Sequence, residues 1–444
     1  MTSWTCGMRG SGAALAVLAL AAVPAAGHDI APAPPQDHPI LLRGGDLHTV
    51  SHGVLEHTDL LFDRGRIVAI GRGLEAPEGA EVIDIAGRQV YPGLIALDTT
   101  LGLSEIGAVR ATNDTSEVGE LTPEVRAAIA YNPDSELIPT VRVHGIAVAQ
   151  VAPRGGLISG RSFVVELDGW TREDAGLLDP GGLFVNWPGP RLRTGPGAPP
   201  LEEQRKRQRE TLSRLHDAFE TARAYDAARD AGEEQPVDVR WESMRPYVRG
   251  ERPVFVRAND VRQIEQALDL AEEFGLQIVI VGGREADAVA ERLRERNVPV
   301  VTGSTAALPA HRDDPYDQAF ELPARLARAG VRFAIAHLSA APWDQRNLPL
   351  QAGLAAAYGL PREQALRAIT LSPAEILGLA DRLGSLDPGK DATLVVSEGD
   401  LLDHLGRRVT LLFIEGRKID LDNRHERLRR KYRAKPAPRE AREP

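Results

Sequence analysis

The chain has 444 residues, 43% of them hydrophobic and 26% charged, with a formal net charge of -10. That length accommodates one large domain with a small accessory domain. The acidic balance argues against nucleic acid as a partner, because phosphate binding requires a basic surface.

Residues 1–27 read as a secretory signal. Arg9 supplies positive charge, an apolar run follows from Ala13 to Val23, and Ala25-Ala26-Gly27 offers a small-residue cleavage site. The run is too short to span a bilayer. The expected location is periplasmic or secreted, with no membrane association after cleavage. Cys6 is the single cysteine and lies inside the signal, so the mature chain would hold no disulfide and no thiol nucleophile.

Residues 28–38 are rich in Pro and Ala and read as a linker. Period-2 strands with turn signals follow, at 59–63, 66–71 and 81–85, and suit a small β-sandwich. From Val90 strands alternate with helices, as in a parallel (β/α)8 TIM-like barrel. A strand is predicted at 162–167. A long helix over 201–231 places Leu212, Leu215, Phe219, Ala222 and Tyr225 on one apolar face. Strands at 253–257, 277–281 and 298–302 lead into helices or loops, and 330–336 reads as the last barrel strand. Strand pattern returns at 386–396 and 409–414, and a charged, frayed tail starts at His425. The predicted organisation is a composite β-sandwich from 39–90 and 385–422, a barrel over 91–384, and a tail over 423–444.

The segment Val90-Tyr-Pro-Gly-Leu-Ile-Ala-Leu-Asp-Thr-Thr-Leu-Gly-Leu103 resembles the first barrel strand of the amidohydrolase superfamily, commonly PGLIDAHTHLG. A second stretch, Glu363-Gln-Ala-Leu-Arg-Ala-Ile-Thr-Leu-Ser-Pro-Ala-Glu-Ile-Leu-Gly-Leu379 with Gly384-Ser-Leu-Asp-Pro-Gly-Lys-Asp-Ala392, is similar to a scaffold signature of that family. The likeness covers roughly residues 40–420 and is nearest to imidazolonepropionase-like enzymes and their secreted relatives. It implies hydrolysis of non-peptide carbon–nitrogen bonds at a divalent metal.

The same resemblance locates the metal ligands, and they are substituted. Asp98 and Thr100 stand where the family has its H-x-H pair. Arg257, in Pro253-Val-Phe-Val-Arg257-Ala258, and Gly282 stand where it has later histidines. The strand-eight aspartate falls on Leu338, or on His337 with a one-residue shift. The metal-bridging position falls on Glu166. A divalent ion needs about three ligands with lone pairs, and Arg257 has none. No metal is therefore expected, and zinc only if the site is rebuilt. Asp98 and Arg257 are expected to meet at the barrel mouth as an ion pair.

Two readings remain open. One is a divergent hydrolase; without metal, Asp98 or Glu166 would be its general base. The other is a metal-free relative that binds a small-molecule ligand or partners a paralogous amidohydrolase subunit. Thr100, Glu105, Arg110, Arg257 and His337 are the candidate substrate contacts. Glu105 and Arg110 lie with Asn113 and Asp114 in the loop after the first barrel strand, and this E-x-x-x-VRAT-x-D pattern resembles the secreted relatives. Arg110 and Arg257 together would recognise an anion. His311 reads as a solvated loop residue. His144, at the start of a strand, is expected to face away from the mouth. Gly155-Gly-Leu-Ile-Ser-Gly160-Arg161 lacks the ending of a phosphate-binding loop.

Overall fold

The structure is a computed structural model that describes residues 31–435 apart from 233–235 and 340. The expected signal at 1–27 lies outside the described residues. Among them, no helix is long and apolar enough to cross a membrane.

Five strands come first: β1 (Ile40–His48), β2 (Val54–Asp63), β3 (Arg66–Gly71), β4 (Glu81–Asp84) and β5 (Gln89–Pro92). Eight barrel strands follow: β6 (Leu94–Thr99), β7 (Ile146–Val151), β8 (Ile158–Glu166), β9 (Gly176–Asn186), β10 (Val254–Ala258), β11 (Ile278–Gly282), β12 (Val300–Thr302) and β13 (Phe333–Ile335). The chain then returns through β14 (Leu394–Glu398), β15 (Arg408–Ile414) and β16 (Arg417–Lys418) to the first sheet. There β14 pairs antiparallel with β5, Val395 opposite Tyr91, so both ends of the chain build one sheet. Seven of its strands lie on one continuous hydrogen-bonded path, from which β4 branches by pairing with β1, rather than in two separate sheets.

The barrel strands are hydrogen-bonded in chain order. Runs such as Ile278–Gly282 are buried at every residue, as expected where helices and core cover both faces of a parallel sheet. Inside, the rings of Phe184 and Phe255 stack at 4.9 Å. The seam between β13 and β6 is spanned by the family-like C-terminal stretch. Ile335 N donates to Ala368 O at 2.9 Å, and Ile95 N donates to Ile369 O at 3.0 Å. Those backbone bonds account for that stretch as scaffold.

One strand departs from the parallel expectation. β8 runs antiparallel to both β7 and β9. β9 itself is not apparent in the sequence, because Pro180-Gly181-Gly182 reads as a turn. Yet a Cβ at Gly182 would lie 2.5 Å from the Phe255 ring, so glycine is what lets the strand pack there.

The long helix spans Leu201–Asp230 and buries Leu215, Ala218, Phe219, Ala222 and Tyr225. The expected linker is docked in its described part: Gly65 N donates to Gln36 Oε1 at 2.8 Å, and Ala33 N to Asp168 Oδ2 at 3.2 Å. The expected frayed tail is a helix over Arg424–Arg433. Asn423 Oδ1 caps it by accepting from His425 N, and Arg427 reaches Glu136 at 3.1 Å.

Candidate functional site

The C-terminal ends of the parallel strands gather Asp98, Asn186, Arg257, Gly282 and Thr302 at one end of the barrel. This is the face where barrel enzymes carry their chemistry. Asp98 sits at a break in register between β6 and β7 and has φ of 49°. The left-handed region is unusual for a residue other than glycine, and a break of this kind re-aims a side chain.

Two guanidiniums meet its carboxylate. Arg257 Nη2 lies 2.6 Å from Oδ1 and Nε 3.0 Å from Oδ2. Arg154 Nη1 lies 3.0 Å from Oδ2, and its Nη2 donates to the Asp98 carbonyl at 2.8 Å. Burial by itself would raise the pKa of Asp98, whose residue is 1% exposed; the charges of Arg257 and Arg154 outweigh it and hold the carboxyl below its usual range. Arg257 is fixed further by Asn186 Oδ1 and Pro153 O, both at 3.0 Å, and its guanidinium lies 4.5 Å above the Phe184 ring.

This donor set does not fit a divalent metal. Both Asp98 oxygens are engaged by cations. Thr100 offers one buried neutral hydroxyl, which finds no partner among the described residues. Gly282 offers nothing, and a Cβ there would meet Asn259 Oδ1 at 2.5 Å, so a histidine could not simply be restored. Two guanidiniums facing one carboxylate leave net positive charge, which repels a dication. His337 follows β13; burial lowers its pKa, its Nδ1 has no partner among the described residues, and its Nε2 is 4.0 Å from Asp344. Leu338 beside it is apolar.

Glu166 is the main correction. It ends β8, and because β8 runs antiparallel, that end lies at the opposite rim, paired across to Val148. There it accepts from Arg417 Nη2 at 2.8 Å, beside Asp168 and Arg142. Burial, with help from the charge of Glu415, pushes its pKa up to about 8. It braces the barrel against β16 and cannot be a base at the mouth.

The loop after β6 is also differently arranged from expectation. Asn113 Nδ2 donates to the carbonyls of Gly107 and Val109, and Thr112 Oγ1 to Val109, so the loop's polar groups hold the loop itself. Glu105 is half-buried, which raises its pKa, and it accepts from Asn132 at 3.5 Å. Arg110 is exposed, while Arg257 is committed to Asp98 and its neighbours, so the two do not form a shared anion clamp.

Sequence reasoning missed Arg154 and Asn186. Both follow or end a buried apolar run, Val151 and Val185 respectively, and that placement was the available signal. It also missed a cluster beyond β10 and β11, in which Asp260, Glu285 and His311 bring ligand-type atoms within 4.8 Å of one another. Arg284 Nη2 is bound to Asp260 at 2.6 Å, Glu285 accepts from Val261 N at 2.9 Å, and Arg191 contacts His311. The carboxylates of the cluster are therefore engaged by Arg284 and a helix N-terminus, while His311 Nδ1 has no partner among the described residues.

The comparisons bear on the family and the fold. A profile described as Amidohydrolase family matches residues 277–419. The amidohydrolase TasK of Hapsidospora irregularis is 25% identical over 393 residues, which are 81% of this chain and 39% of the fungal protein. A dihydroorotase of Geobacter sulfurreducens is 44% identical over 62 residues, 14% of this chain and 15% of the enzyme. The chain thus spans well under half the length of these curated relatives. The crystal structure of an amidohydrolase from Thermotoga maritima superposes with a TM-score of 0.75 at 27% identity, covering 86% of this chain and 99% of that one. The family match, the solved structure and the curated relative together support the amidohydrolase superfamily for this chain.

Proposed function

We propose that this chain is a non-hydrolytic member of the superfamily, acting by binding: it holds a small-molecule ligand or serves as the partner of a catalytic paralogue. The observation that carries this reading is the Asp98 carboxylate, claimed on both oxygens by Arg257 and Arg154. A carboxylate held below its usual pKa by two cations is a poor proton acceptor, and its lone pairs are not free for water. The partner role draws support from the fungal relative, of which the aligned stretch is 39%, so that there a module of this kind is joined to much further sequence.

The test is hydrolysis of a panel of cyclic amides and dipeptides by the purified mature chain, with and without added zinc. The expected result is no turnover above buffer in either condition. Turnover that a chelator abolishes and zinc restores would overturn the proposal.

A further inference from the structure

On the rim opposite the Asp98 site, a cavity of about 850 Å³ opens between the chain leaving Arg142, the loop before β15 and the start of the helix Arg424–Arg433. Its lining includes His144, His404, His425, Arg407, Arg408 and Arg429, against one carboxylate, Glu426. Glu426 is already paired with Arg429 at 2.6 Å, and Arg408 leans toward Glu398 at 3.4 Å. Arg407 is different. Its Nη1 is buried without a hydrogen-bond partner, and its guanidinium has no salt bridge among the described residues. The rings of His144, His404 and His425 likewise make no hydrogen bond among the described residues.

Buried donors without acceptors are rare, because each loses its water without compensation. A water could satisfy an N–H here, but it could not offset the charge. The field is felt by His144: burial first, then Arg407, Arg346, His425 and His404, push its pKa down to about 4. Arg346, outside the lining, also has no salt bridge among the described residues. Several donors and an excess of positive charge thus converge from three separate parts of the chain.

We propose that this pocket binds a compact polyanion of the phosphate class, with Arg407 as its principal fork and His144 as a half-buried donor. A phosphate group presents several acceptor oxygens and up to two charges, which matches multiple converging donors better than a lone carboxylate does. The cavity is larger than one phosphate, so a free polyphosphate and a phosphorylated small molecule share the required chemistry. The proposal is independent of the reading of the barrel mouth.

The experiment is calorimetric titration of the purified chain with inorganic pyrophosphate and with glycerol phosphate, in matched ionic strength. It is combined with NMR titration of the His144 ring, assigned through His144→Gln. Saturable binding of either probe is expected, and Arg407→Gln should weaken it about tenfold or more, the loss of one charge-assisted contact. The bound anion should also raise the pKa of His144, a readout in the unmutated chain that does not depend on the variant's folding. Tighter binding of pyrophosphate supports an inorganic polyphosphate as the source; tighter binding of glycerol phosphate supports a phosphorylated organic molecule. No saturation by either probe, unchanged binding in Arg407→Gln, or an unmoved His144 resonance would overturn the proposal.

Discussion

Arg257 faces Asp98 as a two-point fork, with Nη2 at 2.6 Å from Oδ1 and Nε at 3.0 Å from Oδ2. Planar pairing of this kind adds direction to charge. On the reading proposed above, it sits where the resemblance expects metal ligands, with a protein cation in the place of a bound one.

Removing that cation should be costly. Arg257→Met leaves a buried carboxylate with Arg154 as its one remaining counter-charge. Breaking a buried pair typically costs about 3–5 kcal/mol, and with Arg154 still present the lower end is expected. Chemical denaturation measures it. A loss under about 1 kcal/mol, the scale of exposed ion pairs, would show that the pair is not a structural keystone.

Asp98 and Glu166 should shape the pH dependence of stability with opposite signs. The folded pKa of Asp98 is depressed, so its contribution is present above the usual value of 3.8 and is lost as pH falls through its lower folded value. Asp98→Asn should flatten the acid limb of the stability curve. Glu166 is raised from 4.5 to about 8, so the folded state keeps a proton that the unfolded state releases. Stability should therefore fall as pH climbs between those values, and Glu166→Gln should remove that slope. Denaturation midpoints from pH 3 to 9 (a range of roughly six units) test both, and an unchanged slope in Glu166→Gln would contradict the assignment.

The close approach of β9 to Phe255 gives a packing test. Gly182→Ala places a methyl 2.5 Å from the ring. Overpacking of this type costs about 1–3 kcal/mol. A thermal melt within experimental error of the parent would mean that the strand is not seated as described.

What was legible in the sequence follows from what a sequence pattern encodes. Asp98 and Arg257 could be placed because each ends an apolar run that matches a strand of the resembled family. Direction is not encoded that way: Ile158–Glu166 reads alike whichever way it runs, so Glu166 was assigned to the wrong rim. β9 was hidden by Pro180, Gly181 and Gly182, residues whose turn preference is overridden by packing on Phe255. Arg154 lies past the end of β7 and looks like loop, since nothing local shows that its guanidinium turns back onto Asp98. The helix Arg424–Arg433 was masked by its charge, although Asn423 ahead of it was a readable cap.

The central claim is that Arg257 and Arg154 have displaced metal from Asp98. Elemental analysis of the purified chain, after dialysis against zinc and then against buffer, tests it most directly. The account predicts far less than one ion per chain, in both the parent protein and Asp98→Asn. One or two tightly held ions per chain in the parent, lost in Asp98→Asn, would contradict it.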